Sequence, residues 1–436
     1  PTWFICNGTG ASQHDWMPGT HPQPNQALPY EILPASEMPH VVNPASGYIA
    51  NANNDPSGYS LDNNALNQLR PDGGIHFIDN GGAAAYGMGR IDRELEAMIA
   101  SGQPITIEHM KQLQANNQQL DAELVLPHLL QAYDNAKTDG AWPALAALAT
   151  DARVAEAIDR LRAWDYSTPT GIQAGYDPGD NPLNLPAPDQ AQIDASVAAT
   201  IWAQWRSFAV RSTIDATLQS VGLGSALPGS GDAYTGFKFL LDNFALLGGR
   251  GASGLSFFHA DGAPDAASGR DYVLLAALND ALDALASDTF TPAFGGSQNL
   301  ADYRWGLLHR ITFDHPLGGP FNLPGENPYG FSDLAPELPG LARSGGYEVV
   351  DASGHSVRAQ GVNGFRFGSG PARRFVGEMS TPIKAYEIIP GGQSGVLGNP
   401  TYASQLGRWL TNQYHDVKIS AAAAAAASPT VVNFTP

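Results

Sequence analysis

The spacing of apolar residues changes twice along the chain. Residues 1–85 carry only short apolar runs between Gly, Pro and Asn residues, which is typical of loops and short strands. From about Gly87 to residue 290, apolar side chains recur with the 3.6-residue period of amphipathic helices. After about residue 345, short strand-like apolar runs return. The pattern therefore predicts strands, then a long helical segment, then strands again.

Four apolar stripes define predicted helices in the middle segment. Gly102-Gln103-Pro104 ends the first of these helices, and Thr106 precedes a further helix that continues through Leu113. We expect most side chains of the stripes to lie in the core, because an amphipathic helix buries its apolar face. The stripes are Met88, Ile91, Leu95, Met98 and Ile99; Val154, Ile158, Leu161 and Trp164; Trp202, Trp205 and Phe208 within residues 193–218; and Leu275, Leu278, Leu282 and Leu285.

Three segments in the last quarter of the chain predict strands. Residues 347–350 lead into a turn at 351–354, after which Val357 resumes the strand. Residues 373–376 and 385–389 are two further predicted strands. These segments form the second group of strands, on the far side of the helical segment.

The order of the segments predicts the domain organisation. Both groups of strands need partners to cover their faces, so one sheet interrupted by a helical lobe explains the order better than independent domains. We assign residues 1–86 to the first part of the sheets, 87–300 to the helical lobe, and 301–436 to the return to the sheet and the C-terminal segment.

Composition and charge argue against several classes of protein. The chain has 436 residues, of which 43% are hydrophobic, so it can bury a large core. Its net charge of −19 argues against binding to nucleic acid or to anionic membranes. No apolar stretch reaches the roughly 20 residues that a membrane helix needs. A charged content of only 15%, with 48 Gly and 33 Pro, favours a periplasmic or extracellular protein.

Few residues offer metal-binding or nucleophilic chemistry by sequence alone. Cys6 is the only cysteine, which excludes an internal disulfide, and its place in a predicted strand indicates an inert buried thiol. His309 and His315, with Asp314 between them, have a spacing that suits no common zinc motif, so we interpret both histidines as structural. No Gly-x-Ser-x-Gly sequence occurs, so the nucleophile elbow of α/β-hydrolases is absent.

Residues 38–56 contain a long ordered motif. The part from Asn43 to Asn54 fits the pattern N-P-x-x-G-x-I-x-x-x-N-N. This segment resembles the β-chain of penicillin acylases and of the related acyl-homoserine-lactone acylases. Further stretches are similar to that family, namely Gly89-Arg90-Ile91, residues 105–110, Trp305-Gly306 with His309, residues 315–317, residues 390–395, Tyr402, Gln405 and Trp409.

The resemblance implies a fold and a mechanism. The implied fold is α+β, the four-layer αββα sandwich of the N-terminal-nucleophile hydrolases, here with a large helical insertion. In that family the precursor cleaves itself to expose a serine at the start of the β-chain. That serine attacks the substrate amide while its own α-amino group acts as base, a role that suits an amine titrating near pH 8.

The first residue does not fit this mechanism. Pro1 has neither a hydroxyl nor a primary amine. The resemblance therefore implies that the nucleophile lies upstream, in another part of the β-chain or on another chain. The expected protein partners are this upstream part of the β-chain and a companion α-chain from the same precursor.

The resemblance also implies a catalytic asparagine. Asn53 stands at the position of the family's oxyanion-hole asparagine, where a neutral side-chain N–H stabilises the tetrahedral oxyanion without titrating. From the residues alone, the segment from Asn51 to Asp55 is an asparagine-rich turn. Asn51 and Asn54 remain alternatives for the catalytic position.

Two further residues follow from the same resemblance. Arg90 resembles the arginine that orients the asparagine and the nucleophile amine from a helix start, with Arg93 as the alternative. Asp62 resembles a calcium-ligating aspartate of the family, although one carboxylate cannot form a calcium site alone. A structural calcium ion is thus possible, and no cofactor is expected for catalysis.

The expected function is hydrolysis of the amide bond in a small N-acylated molecule. Candidate substrates are a β-lactam with its side chain, an acyl-homoserine lactone, or another acylated amine. Because a hydrophobic pocket distinguishes one methylene by only about 1–3 kcal/mol, the sequence does not select among them. The alternative is a non-catalytic secreted binding or structural protein that retains the fold.

Overall fold

The computed structural model describes residues 36, 38–54, 69, 84–325 and 328–428. Contacts between residues divide the chain into two units, 1–96 and 97–436. The predicted strand at Trp3 to Cys6 lies outside the described residues, as does Asp62.

Among the described residues, helices dominate the middle of the chain, and the strands are short and lie in its last third. A π-helical turn, Arg211–Asp215, joins two of the helices. In the described part of the chain the helices are α1 Tyr86–Ala100, α2 Ile107–Gln114, α3 Leu120–Ala136, α4 Pro143–Leu148, α5 Ala152–Arg162, α6 Gln190–Val210, α7 Ala216–Ser220, α8 Ser230–Asp242, α9 Phe244–Leu247, α10 Ala266–Leu285, α11 Thr291–Phe294, α12 Leu406–Leu410 and α13 Ala421–Ala427. The strands are β1 Arg310–Ile311, β2 Leu341–Ala342, β3 Arg374–Glu378, β4 Lys384–Ile388 and β5 His415–Asp416.

The predicted ends of the first two helices are confirmed. Helix α1 ends at Ala100, and Gly102 follows it with a φ of +66°, a conformation that glycine adopts without strain. Thr106 caps α2 reciprocally with His109. The Thr106 hydroxyl accepts from the His109 N–H at 3.4 Å, and the His109 ring accepts from the Thr106 N–H at 3.1 Å. The sequence therefore predicts the end of α1 and the start of α2 correctly.

The core of the helical region forms around α10. This helix packs against α3, α4, α5 and α6. Trp202 and Trp205 on α6 are fully buried with their ring centroids 4.8 Å apart. The predicted stripes of α5 and α10 are buried throughout, as expected. The predictions for α1 and α6 are wrong in part, because Ile99 is 42% exposed and Met88, Ile91, Met98 and Phe208 are only half-buried. The helical period identifies a face but not how far its neighbours cover it.

A buried polar cluster crosses this apolar core. Arg206 on α6 donates from Nη1 to Asp121 Oδ2 on α3 at 2.6 Å, and the Tyr234 hydroxyl donates to the same oxygen at 3.1 Å. The Arg206 guanidinium also lies 4.6 Å from the ring centroid of Tyr347. Within the described residues, Arg206 Nε and Nη2 have no hydrogen-bond acceptor. The cluster therefore holds a buried charge pair that is incompletely hydrogen-bonded.

Glu348 lies beside this cluster and carries an unusual backbone. Its φ is +53°, in the left-handed region that costs a side-chain-bearing residue energy. Burial raises the pKa of its carboxyl to about 7, and the Asp121 carboxylate raises the pKa further, while Arg206 acts in the opposite direction. Glu348 therefore tends to be protonated in the folded protein where it would be ionised in the unfolded chain.

The strand predictions are confirmed for two segments. Strands β1 and β2 pair antiparallel, and a second antiparallel sheet has the order β3-β4-β5. Its β3 and β4 coincide with the predicted strands at 373–376 and 385–389 to within two residues at each end. Helix α2 packs against β3, where the Gln114 side-chain amide donates to the Phe375 carbonyl at 2.9 Å.

The strand predicted at residues 347–350 is wrong. This segment is a turn, because the positive φ of Glu348 is incompatible with an extended strand. The return through Val357 is also absent; Gly354 instead forms an isolated antiparallel bridge with Ser369. Alternation of apolar and polar residues does not reveal such a backbone reversal.

Buried arginine side chains make many of the hydrogen bonds that connect separate segments after residue 300. Arg310 is fully buried and donates only to neutral oxygens, so burial lowers its pKa to about 10. Its acceptors are the carbonyls of Leu307 at 2.9 Å, Pro339 at 2.6 Å and Val362 at 2.9 Å, and the side chain of Asn363 at 2.7 Å. One guanidinium thus joins three separate stretches of backbone.

A buried ion network connects the same region to helix α12 and to the residues that follow it. Asp351 accepts from Arg343 Nη2 at 2.5 Å, from Arg374 Nη2 at 2.7 Å and from the Asn412 amide at 2.9 Å. Burial alone would raise the pKa of Asp351, but the two guanidinium groups hold it below its usual range. Both arginines also stack on Trp409, with their guanidinium carbons 5.0 and 4.5 Å from its ring centroid.

The described residues confirm a chain of mixed helix and strand. The four-layer sandwich and the boundaries of the three predicted segments stay predictions. Among the described residues, no helix combines the length and the hydropathy needed to cross a bilayer.

Candidate functional site

The asparagine motif folds into a loop with two left-handed residues. Asn43 has a φ of +49° and Asn53 a φ of +58°, a region that asparagine tolerates better than most residues other than glycine. Between them, the Gly47 N–H donates to the Pro44 carbonyl at 3.0 Å and closes a turn. We call residues 43–54 the asparagine loop.

The three asparagines near the end of the loop have different roles in it. Asn51 accepts through its side chain from the Asn53 N–H at 3.0 Å, and Asn54 accepts from the Ala52 N–H at 3.1 Å. The Asn53 side chain is exposed and has no hydrogen-bond partner among the described residues. Asn51 and Asn54 therefore stabilise the loop, while the Asn53 amide can donate to a ligand.

Helix α1 carries both candidate arginines. Arg90, in its second turn, is only 8% exposed, whereas Arg93 is exposed. A buried guanidinium needs polar partners and holds a defined orientation. This difference favours Arg90 for a positioning role.

A side-chain hydrogen bond connects the asparagine loop to α1. The Tyr48 hydroxyl donates to Asp92 Oδ1, two residues after Arg90. This hydrogen bond is the main reason why the pKa of Tyr48 is raised to about 12. Sequence analysis missed both residues. Tyr48 stands within the asparagine motif and Asp92 follows Arg90 closely, but nothing in their spacing predicts that they meet.

The predicted calcium ligand is not among the residues described. Asp62 lies in the undescribed segment 55–68, so its role stays a prediction. In the described part of the chain, no group of three or more His, Cys, Asp or Glu residues could hold a metal ion.

The two histidines near residue 310 occupy ordinary structural positions. His309 is fully buried with Nδ1 2.6 Å from the Arg343 carbonyl and Nε2 3.0 Å from the Ser353 carbonyl, and burial lowers its pKa to about 4. His315 accepts from the Leu317 N–H at 3.0 Å and stacks on Phe321. Their contacts agree with the structural interpretation.

Two large clefts lie within unit 97–436. One of about 570 Å³ lies between α5 and α6 and is lined by Glu156, Asp159, Asp194 and Trp164. Another of about 840 Å³ is lined by residues around 312–325 and 332–339, with Arg366. Neither cleft is lined by the candidate residues Asn53 or Arg90.

Comparison with known proteins decides the family. A model of the penicillin amidase family matches residues 2–426, which is nearly the whole chain. The chain belongs to the penicillin amidase family. The resemblance inferred from the asparagine motif is therefore confirmed.

This member of the penicillin amidase family has only low similarity to individual proteins. Among solved structures it is similar to the thermostable penicillin G acylase from Alcaligenes faecalis, with 14% sequence identity and a TM-score of 0.47. That match covers 93% of this chain and 60% of the other, so this chain spans about three fifths of the length of that acylase chain. No curated protein matches it significantly.

Proposed function

We propose that this member of the penicillin amidase family belongs to an enzyme that hydrolyses the amide bond of small N-acylated molecules. The observation that carries the proposal is the family match over residues 2–426. The asparagine loop supports it, because its motif presents one exposed amide donor on a backbone held by the two neighbouring asparagines. Membership in the family favours an enzyme over a binding protein.

In the proposed mechanism, the nucleophile is an N-terminal serine supplied from outside this sequence. Its hydroxyl oxygen attacks the amide carbonyl, and its proton passes to the serine α-amino group and then to the departing amine. Water next hydrolyses the acyl ester and regenerates the serine. Asn53 donates its amide N–H to the oxyanion of each tetrahedral intermediate, and Arg90 orients the asparagine and the α-amine.

The proposal leaves the two sides of the substrate with different chemistry. The acyl group occupies an apolar pocket, and the amine side is wetter, as in β-lactams with their side chains or acyl-homoserine lactones. A companion α-chain and the upstream part of the β-chain complete the enzyme. We also propose a periplasmic or extracellular location and retain Asp62 as a candidate ligand of a structural calcium ion.

The test is replacement of Asn53 in the complete enzyme. Asn53→Gly removes the side-chain amide and suits the φ of +58°, so the loop keeps its backbone. We expect kcat to fall by about 10²- to 10³-fold, the usual effect of losing an oxyanion donor. The measurement is hydrolysis of a panel of N-acyl p-nitroanilides with aromatic and aliphatic acyl groups.

The control is Asn53→Asp, which keeps the shape of the side chain but replaces the donor with an acceptor. It should be at least as impaired as Asn53→Gly, since a carboxylate repels the oxyanion. Wild-type enzyme that hydrolyses none of the panel, while still binding N-acyl compounds, would support the non-catalytic alternative. Unchanged kcat in Asn53→Gly would remove Asn53 from the mechanism.

A further inference from the structure

We infer that Tyr48 and Asp92 are positioning residues that fix the asparagine loop against the helix carrying Arg90. The inference rests on the proposed function, since it concerns how Asn53 is held. The observation behind it is the hydrogen bond from the Tyr48 hydroxyl to Asp92 Oδ1, which joins residues 44 positions apart.

The loop is built so that an anchor at Tyr48 also constrains Asn53. Local hydrogen bonds follow one another along it, from the turn closed by Gly47 to the bonds that Asn51 and Asn54 accept. The Ser46 hydroxyl adds a bond to the Tyr48 carbonyl at 3.2 Å. Proteins open locally in contiguous cooperative units, and Tyr48 is only five residues from Asn53 in this short loop. A fixed Tyr48 therefore limits the positions that Asn53 can take.

The other end of the hydrogen bond lies on a rigid element. Asp92 belongs to α1 and is two residues from Arg90. The loop is therefore hydrogen-bonded to the same helix that carries the candidate arginine. A phenol donating to a carboxylate is a charge-assisted hydrogen bond, about twice as strong as a neutral one. The bond is thus suited to hold Asn53 and Arg90 at a constant separation.

The hydroxyl of Tyr48 is a donor that keeps its proton near neutral pH. The Asp92 hydrogen bond raises the pKa of Tyr48 to about 12, so its hydroxyl keeps its proton at neutral and mildly alkaline pH. Glu96 also faces Tyr48 from α1 and acts in the same direction. Because its proton is directed at Asp92, Tyr48 acts through the loop and not as an acid or base.

The test is a double-mutant cycle in the complete enzyme. Tyr48→Phe removes the donor with little change in shape and should lower kcat about 10- to 100-fold with KM nearly unchanged, the effect of a misplaced catalytic group. In an Asn53→Gly background the same change should have almost no further effect, because it acts through Asn53.

Asp92→Asn, which keeps an acceptor, should lose less activity than Asp92→Ala. Glu96→Gln, one turn further along α1, is the control and should keep wild-type activity.

A merely structural role predicts a different result. Tyr48→Phe would then lower the melting temperature or the fraction of active sites, measured by titration of the nucleophile, without lowering kcat per site. Additive losses in Tyr48→Phe and Asn53→Gly would also overturn the inference. If Asn53→Gly is impaired and Tyr48→Phe is not, only this inference fails. If Asn53→Gly is unimpaired, the proposed role of Asn53 fails and this inference fails with it. Should Tyr48→Phe not fold, Asp92→Asn and Asp92→Ala decide in the same way.

Discussion

The two halves of unit 97–436 bury their backbones by different means. From α2 to α11, residues 107–294, the peptide groups bond mainly within helices, and the core is made of Leu, Ala, Trp and Phe side chains. From residue 300 to 416 the described strands have only two to five residues each. There the fully buried large side chains include Arg310 and Arg343 as well as Trp305 and Trp409.

This difference shows how buried carbonyl groups find hydrogen-bond donors where there is little regular secondary structure. Every buried carbonyl needs a donor, and a helix supplies one from its own backbone. An irregular segment must find donors elsewhere, and arginine carries five N–H groups on one side chain. Arg310 alone serves three carbonyls, and Arg374 donates to the carbonyl of Trp409 at 2.8 Å. The second half therefore relies on arginine side chains for donors that the helices of the first half supply from their own backbone. The described residues of the first half contain one fully buried ion pair, Arg206 with Asp121.

The largest effect is expected from breaking the ion network of the second half. Asp351→Asn leaves Arg343 and Arg374 buried without their carboxylate. Removing one partner of a buried charge network typically costs about 3–5 kcal/mol. Urea unfolding of the purified protein measures the loss. Glu387→Gln is the matched control, because its partner Arg373 is 55% exposed and such a pair contributes about 0–1 kcal/mol. Equal losses in both variants would contradict a special contribution of the buried network to the stability of the second half.

A smaller loss is expected from opening the apolar core of the first half. Leu278 on α10 is fully buried, so Leu278→Ala should cost about 3 kcal/mol from lost burial and the cavity left behind. The loss should not depend on salt, since no charge is involved. Leu246→Ala, at a position 83% exposed, should change the free energy of unfolding by less than about 0.5 kcal/mol. A strong salt dependence for Leu278→Ala would refute the packing argument.

The last effect concerns Glu348, which belongs to the second half but lies beside the polar cluster of the first, and it appears only as a pH dependence. Because the pKa of Glu348 is raised from 4.5 to about 7, the folded state binds more protons than the unfolded state between these values. The carboxyl's contribution to stability is therefore present below pH 4.5 and is lost as pH rises to 7. The full shift corresponds to about 3 kcal/mol, so Glu348→Gln should remove a decline of up to about this size.

The measurement is the free energy of unfolding at several pH values across this range. The pKa of Asp177 is raised to about 6 and that of His309 is lowered to about 4, so both groups also titrate in this pH range. Both are unchanged in the variant, so the difference between the two stability curves isolates Glu348. Gln keeps the size of the side chain and the same strained φ, so a uniform shift without a change of slope would indicate a packing effect instead.

Features of the helical region could be read from the sequence because their signals are local. The stripe of α10 repeats every three or four residues, and Thr106 marks the start of α2. The asparagine loop could be recognised for the same reason, since its motif occupies twelve consecutive positions, residues 43–54. Such features need no knowledge of distant contacts.

The remaining features depend on residues far apart in the chain. Asp351 meets Arg374 across 23 positions and Asn412 across 61, and Tyr48 meets Asp92 across 44. No period connects such pairs, and a polar residue is predicted to be exposed unless a partner is known. The strand prediction at Glu348 failed because its apolar neighbours suggested an extended backbone, whereas its φ is +53°.

The guanidinium of Arg310 has a consequence for how the molecule opens. Its bonds reach backbone near residues 307, 339 and 362, so movement of the stretch at 307–310, which carries the side chain, removes the donor from the other two stretches. Thermal fluctuations should therefore not fray the three stretches independently. In hydrogen–deuterium exchange their amides should become accessible together, as one cooperative unit assembled around a single side chain.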